Sequence, residues 1–155
     1  MTKRTDGTET PAVRRARVIG DAILDAGVRV LAEQGWGDFT LANVARAAGY
    51  SKRPVHNRYQ DRLDLAIDVW QQRFWPVGQN LLATVFDELG KSRLSGDPEP
   101  LVDAIAKFTV RNPLSEAGIE IILYSAFEPR LRDVVMQSVG RDVAAVCDIE
   151  NAPAD

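Results

Sequence analysis

The chain is poor in the residues from which catalytic and metal centres are built. It has one cysteine, Cys147, and one histidine, His56, among 155 residues. A lone cysteine excludes an internal disulfide and leaves no thiolate cluster for zinc. A lone histidine with no carboxylate partner in its pattern leaves no nucleophile–base arrangement. Glu116 and Glu120 are four apart, the spacing of an exposed helical face rather than an acid–base pair. No catalytic residue, metal site or cofactor is therefore expected, and the chain is read as a binding protein and not as an enzyme. Long apolar runs are also missing: nothing approaches the roughly 20 residues that a membrane span needs. The N-terminus, MTKRTDGTET, lacks the apolar segment of a secretion signal, so a cytoplasmic location is expected. Strand alternation and internal repeats are absent too.

What is present is helical periodicity and an uneven charge. The net charge of −3 hides an asymmetry. Residues 1–62 hold 11 Lys/Arg against 7 Asp/Glu, whereas residues 63–155 hold 8 against 15. A basic front on an acidic body points to a polyanion partner for the front alone. Residues 1–13 are polar and aperiodic, and read as a disordered tail. Residues 14–34 read as a first helix, with Ile19, Ala22, Ile23, Ala26, Val30 and Leu31 on its buried stripe. Arg14, Arg15 and Arg17 crowd the start of that helix and oppose its dipole. Gly35-Trp36-Gly37-Asp38 breaks it.

The stretch Thr40–Tyr59, TLANVARAAGYSKRPVHNRY, organises the rest of the chain. Leu41, Val44, Ala45 and Ala48 form one apolar stripe, Thr40 stands where a cap belongs, and Gly49 stops the helix. Ser51 is placed to cap a second helix with only Val55 and Tyr59 inward. The other face of that helix carries Lys52, Arg53, His56 and Asn57. So few apolar residues mark a helix held by its neighbours and offered to a partner, in the order of a helix-turn-helix. Asp61 caps a longer helix with Leu63, Ala66, Ile67, Trp70 and Phe74 on one face. Pro76 and Gly78 end or kink that helix, helical spacing then runs to Gly90, and residues 91–100 read as a loop. Leu101, Ile105 and Phe108 mark another helix, stopped by Asn112-Pro113. Ser115 is read as the cap of the next, with Ile119, Ile122, Leu123 and Ala126 inside. Pro129 opens a last helix carrying Leu131, Val134, Val135, Val139 and Val146. The fold class is all-α.

The pattern AEQGWGDFT, LANVARAAGYS, a short helix closing on Tyr59, then Asp61-Arg62 opening a long helix, resembles the N-terminal domain of the tetracycline-repressor (TetR) family of bacterial transcription regulators. The resemblance covers about Arg17 to Trp70. It implies a three-helix DNA-binding domain at 14–62 and a helical regulatory and dimerisation domain at 63–155. The family dimerises through its last two long helices and its chains run longer, so the resemblance leaves two expectations: a chain that lacks the final helix, or one that dimerises with fewer helices. Val135, Val139 and Val146 then become interface candidates. The implied function is a ligand-responsive repressor that binds a palindromic operator as a homodimer, with double-stranded DNA entered through the major groove. Lys52, Arg53, His56 and Asn57 are the base-edge candidates. Thr40, Ser51, Arg58 and Arg62 are the phosphate candidates, Thr40 and Ser51 being caps first. Arg46 reads as a solvated charge. For a small-molecule effector of unassigned identity, Trp70, Phe74 and Phe108 are the pocket candidates. The recognition helix departs from the family, which commonly has a small residue, Thr or Ala, an apolar residue and Tyr where this chain has Arg53, Pro54, Val55 and His56. That departure and the short C-terminal part support an alternative: a degenerate or truncated regulator that acts by protein interaction without binding DNA itself.

Overall fold

A computed structural model describes residues 10–109 and 112–150. Among these, every regular element is helical: α1 (Pro11–Asp38), α2 (Leu41–Ala47), α3 (Lys52–His56), α4 (Arg62–Val69), a π-helical turn (Trp70–Phe74), α5 (Trp75–Ser95), α6 (Glu99–Thr109), α7 (Pro113–Ser125) and α8 (Pro129–Glu150). α1 begins earlier than its periodicity predicts, because Thr10 caps it: the Val13 amide donates to the Thr10 hydroxyl at 3.3 Å. Pro11, at the first position, has no amide to satisfy. Pro11, Ala12 and Val13 therefore belong to the helix, while residues 1–9 of the expected tail lie outside the described residues.

α1 is the shared wall of the molecule. It packs against α2 and α4 on one side and, most extensively, against α7. Of its predicted stripe, Ile23, Ala26, Val30 and Leu31 are buried and Ile19 is packed at the edge, whereas Ala22 is half-buried. The helix breaks at Gly35 (φ 73°), a conformation that favours glycine. The Trp36 amide freed there donates to Glu120 Oε2 of α7 at 3.0 Å. Glu120 is thus not part of an idle exposed pair.

The helix after Asp61 does not end at Pro76. Proline cannot donate to the carbonyl four residues back, that of Gln72, and its ring presses on it. The backbone answers by widening: the Trp75 amide bonds to the Trp70 carbonyl, five residues back, and the helix runs on as α5. Trp70 is almost fully buried, stacked on Phe74 (centroids 4.7 Å apart) and Trp75 (5.4 Å). Its indole N–H donates to Ser138 Oγ of α8 at 3.1 Å, which accounts for that buried serine. Arg73 leaves the same turn outward and pairs with Asp21 (2.8 Å) and Asp25 (2.7 Å) on α1.

Three further expectations are corrected. The predicted loop at 91–100 is mostly helix. Lys91 bridges Asp87 (2.6 Å) and Glu88 (2.9 Å) across Gly90, and the helix stops only at Gly96 (φ 75°). The cap of α7 is Asn112, whose side chain accepts from the Leu114 amide at 3.0 Å, and Ser115 is buried inside the helix. The buried face of α7 is Ser115, Ala117, Gly118, Ile121 and Ser125, whereas Ile119, Ile122, Leu123 and Ala126 are exposed. Close packing against the Phe74 ring leaves no room for a side chain at Gly118, and Ile121 is the one large side chain that this face takes in. On α8, Leu131 and Val135 are buried and Val139 is packed against the core. Val135 and Val139 are therefore core residues, and the Val146 side chain lies outside the described residues.

Gly118 meets the Phe74 ring with no room for a Cβ. Gly118→Ala is expected to destabilise the fold by about 1–3 kcal/mol through overpacking. Thermal unfolding should show a lowered Tm, partly restored when Phe74→Leu is added. Tyr59 gives a second prediction. Its hydroxyl donates to Asp68 Oδ2 at 3.0 Å, and burial, then the Asp68 charge, push its pKa well above the usual tyrosine range. The unfolded chain releases this proton near pH 10 while the fold retains it. The stabilisation is therefore complete below pH 10 and lost progressively above it. In alkaline unfolding titrations, Tyr59→Phe should flatten that decline.

Candidate nucleic-acid interface

The helix-turn-helix is assembled by caps and two long-range tethers. The Asn43 amide donates to the Thr40 hydroxyl at 3.1 Å, so Thr40 is a working cap. The Asn43 side chain donates to the Asp38 carbonyl at 2.8 Å and fixes the approach from α1. Gly49 (φ 75°) ends α2, and the Tyr50 amide reaches back to the Ala45 carbonyl at 3.0 Å, the closing bond of a left-handed helix end. Arg29 of α1 donates to the Ala47 carbonyl at 3.0 Å and ties that end down.

Ser51 stands at the cap position of α3 with extended backbone, yet its hydroxyl makes no capping bond. A cap side chain accepts from the second or third helical amide; the third residue here is Pro54, which has none, and the Ser51 hydroxyl does not take the remaining Arg53 amide. Pro54 costs the helix nothing at that place; the Asn57 amide still closes on the Arg53 carbonyl at 2.9 Å. α3 buries a single side chain, Val55. Lys52, Arg53, His56 and Asn57 are all exposed, so the candidate base-edge residues share the outward surface of one short helix, with the exposed Ser51 at its start.

The phosphate candidates divide. Arg58 lies back against α1: its guanidinium donates to the Ala16 carbonyl at 3.1 Å and occupies the space over Gly20. Arg62 sits over the Trp36 ring, 5.0 Å from its centroid. Both cations already have partners in the fold. Asp61 caps α4 by accepting from the Asp64 amide at 2.9 Å. That bond and the nearby Arg130 of α8 hold its carboxyl below the usual range. Arg130 pairs with Asp61 and Asp64 together, which anchors α8 to the exit of the motif.

The residue missed at the level of sequence is Trp36. It is buried, stacked on Phe39 (5.7 Å) and on Tyr124 of α7 (4.7 Å), and covered by Arg62. Flanked by two glycines, it reads as part of a chain break; its place between periodic helices is the signal that was available. Of the effector candidates, Trp70 and Phe74 are core residues, and the Phe108 side chain lies outside the described residues. An open cleft of about 460 Å³ lies instead between α5 and α6, lined by Val77, Asn80, Leu81, Thr84, Glu88, Pro100, Asp103 and Ala104. Among the described residues, no group of His, Cys, Asp and Glu is placed to hold a metal ion, and no helix is long and apolar enough to cross a membrane.

Residues 23–69, from mid-α1 to the end of α4, match the family model for bacterial regulatory proteins of the tetR family. The chain is 22% identical over 105 residues to the HTH-type transcriptional regulator AcrR of Shigella flexneri, which covers 68% of this chain and 46% of that protein. It is 39% identical over 49 residues to the HTH-type transcriptional regulator AlkX of Mycobacterium tuberculosis, covering 32% of this chain and 23% of that one. The chain thus spans less than half the length of these curated relatives, and no solved structure matches it. The matched segment coincides with the capped helix-turn-helix and its exit helix, so this part of the chain is similar to the helix-turn-helix segment of bacterial regulatory proteins of the tetR family.

Proposed function

We propose that the protein is a cytoplasmic, ligand-responsive repressor that binds a near-palindromic operator as a homodimer, with α3 in the major groove. The observation that carries this reading is α3 itself: five residues long, one side chain buried, its remaining surface basic and amide-bearing. Arg53 is suited to a guanine edge and Asn57 to an adenine edge through paired hydrogen bonds. Lys52 and Ser51 are suited to phosphates, which set register. Arg58 and Arg62 act mainly by fixing α3 against α1 and Trp36, with phosphate contact through whatever donors remain.

A palindrome needs a second copy. The exposed apolar residues Ile119, Ile122 and Leu123 of α7, with Phe127 (79% exposed) and Met136, support a dimer formed through α7 and α8. The two recognition helices then address half-sites about 34–36 Å apart, or a multiple of that. The cleft between α5 and α6 is the proposed effector site, in place of the buried Trp70 and Phe74. An effector there acts on α5, and through the π-helical turn on α4 and the recognition helix.

Selection from a random duplex pool at two salt concentrations tests the reading. A recovered palindrome with salt-sensitive binding is the expected result. Failure to enrich any sequence at low salt rejects it in favour of a protein-interaction role. Lys52→Ala should weaken binding to all duplexes, whereas Arg53→Ala should relax one position of the site, worth about 1–3 kcal/mol of discrimination. For the dimer, Leu123→Glu with Phe127→Glu should halve the mass seen by sedimentation and remove the preference for a palindrome over a single half-site.

A further inference from the structure

The first two turns of α1 flank both ends of the recognition helix. Tyr50, the residue before the α3 cap, closes a cleft of about 400 Å³ with Arg14, Arg15, Val18 and Ile19 of α1. Arg58, beyond the far end of α3, donates to the Ala16 carbonyl, beside Arg15. α1 is thus bolted beside α3, and Arg14 and Arg15 are exposed next to the start of α3. Arg17 lies on the Arg58 side of the helix, where it shares a cleft with Asp21 and helps to hold that carboxyl below its usual range, after Arg73.

No acidic residue stands in the first turn of α1. Two cations at the positive end of a helix oppose its dipole; a polyanion lying across that end offsets the repulsion. Deoxyribose phosphates repeat along a strand at a spacing that side chains from neighbouring elements can reach together, and such contacts fix orientation without reading bases. From this placement we propose that Arg14 and Arg15 form a second DNA contact surface, gripping backbone phosphates beside the half-site that α3 enters. The assignment rests on the DNA-binding reading above and extends it to residues outside the helix-turn-helix.

The test is the salt dependence of binding to the selected duplex and to a random-sequence duplex of equal length. Wild type, Arg14→Ala/Arg15→Ala and Arg93→Ala, an equivalent loss of charge at the end of α5, are compared. Each phosphate contact contributes about 0.9 to the slope of log affinity against log salt. The double variant should therefore lose about 1.8 from that slope, weaken on both duplexes by a similar factor, and keep its sequence preference. Arg93→Ala should leave the slope unchanged. The far-UV circular dichroism spectrum of the DNA-free double variant should match that of wild type, which separates lost contact from lost fold. If wild type binds and the double variant keeps its slope, or changes its preferred sequence, the second surface is refuted while the role of α3 stands. If wild type binds no duplex, both readings fall.

Discussion

The join between the break in α1 and α7 of the body turns on one backbone amide. When α1 breaks at Gly35, the Trp36 N–H is left without a helical acceptor in a mostly apolar setting, and an unpaired group there costs roughly 1–3 kcal/mol. Glu120 supplies the acceptor from α7. The indole of the same residue then stacks on Tyr124, one turn further along α7, while its other neighbours, Phe39 and Arg62, belong to the helix-turn-helix. A single tryptophan is thus held by polar contact through its amide and by aromatic contact through its ring. The angle at which α2 leaves α1 depends on both.

A second constraint lies at the π-helical turn. Pro76 forbids regular hydrogen bonding, and the extra residue accommodated in Trp70–Phe74 turns Trp70 and Phe74 toward the core and Arg73 toward α1. The cost of the irregularity is offset by close packing that only small residues permit: Gly118 under Phe74 and Gly27 under Val69. Small-residue contacts of this kind are rigid, since the glycine side has no rotamer to change. The two irregular points, Gly35 and Trp70–Phe74, therefore meet α7 and α1 at fixed places, and movement in the body is transmitted to α4 with little slack.

Much of this was legible in the sequence, for local reasons. The stripe of α2, the Thr40 and Asp61 caps, the Gly49 stop and the inward pair Val55 and Tyr59 arise from side-chain periodicity and backbone preference alone. The exposed set on α3 is reached by elimination. The features that could not be read depend on partners distant in sequence. The outward Ile119, Ile122 and Leu123 look like a core stripe until Phe74 and α1 are seen to claim the small-residue face. Trp70 and Phe74 look like pocket walls until Ser138 and Gly118 are found against them. Ser51 is a different case: Pro54 removes the third-position amide that Thr40 finds at Asn43, and that difference is local enough to be legible without any structure.

The length of α1 has an evolutionary consequence. At about 1.5 Å per residue, the part of α1 before the break at Gly35 reaches roughly 36 Å, and that single rod serves as one wall of both halves. Such a molecule cannot be cut and recombined like beads on a linker, because the front carries away the surface on which α7 folds. The body is free to drift in sequence only at positions that leave Ser115, Gly118 and Ile121 able to receive that rod. Divergence in the body is thus steered by a helix that lies largely outside it.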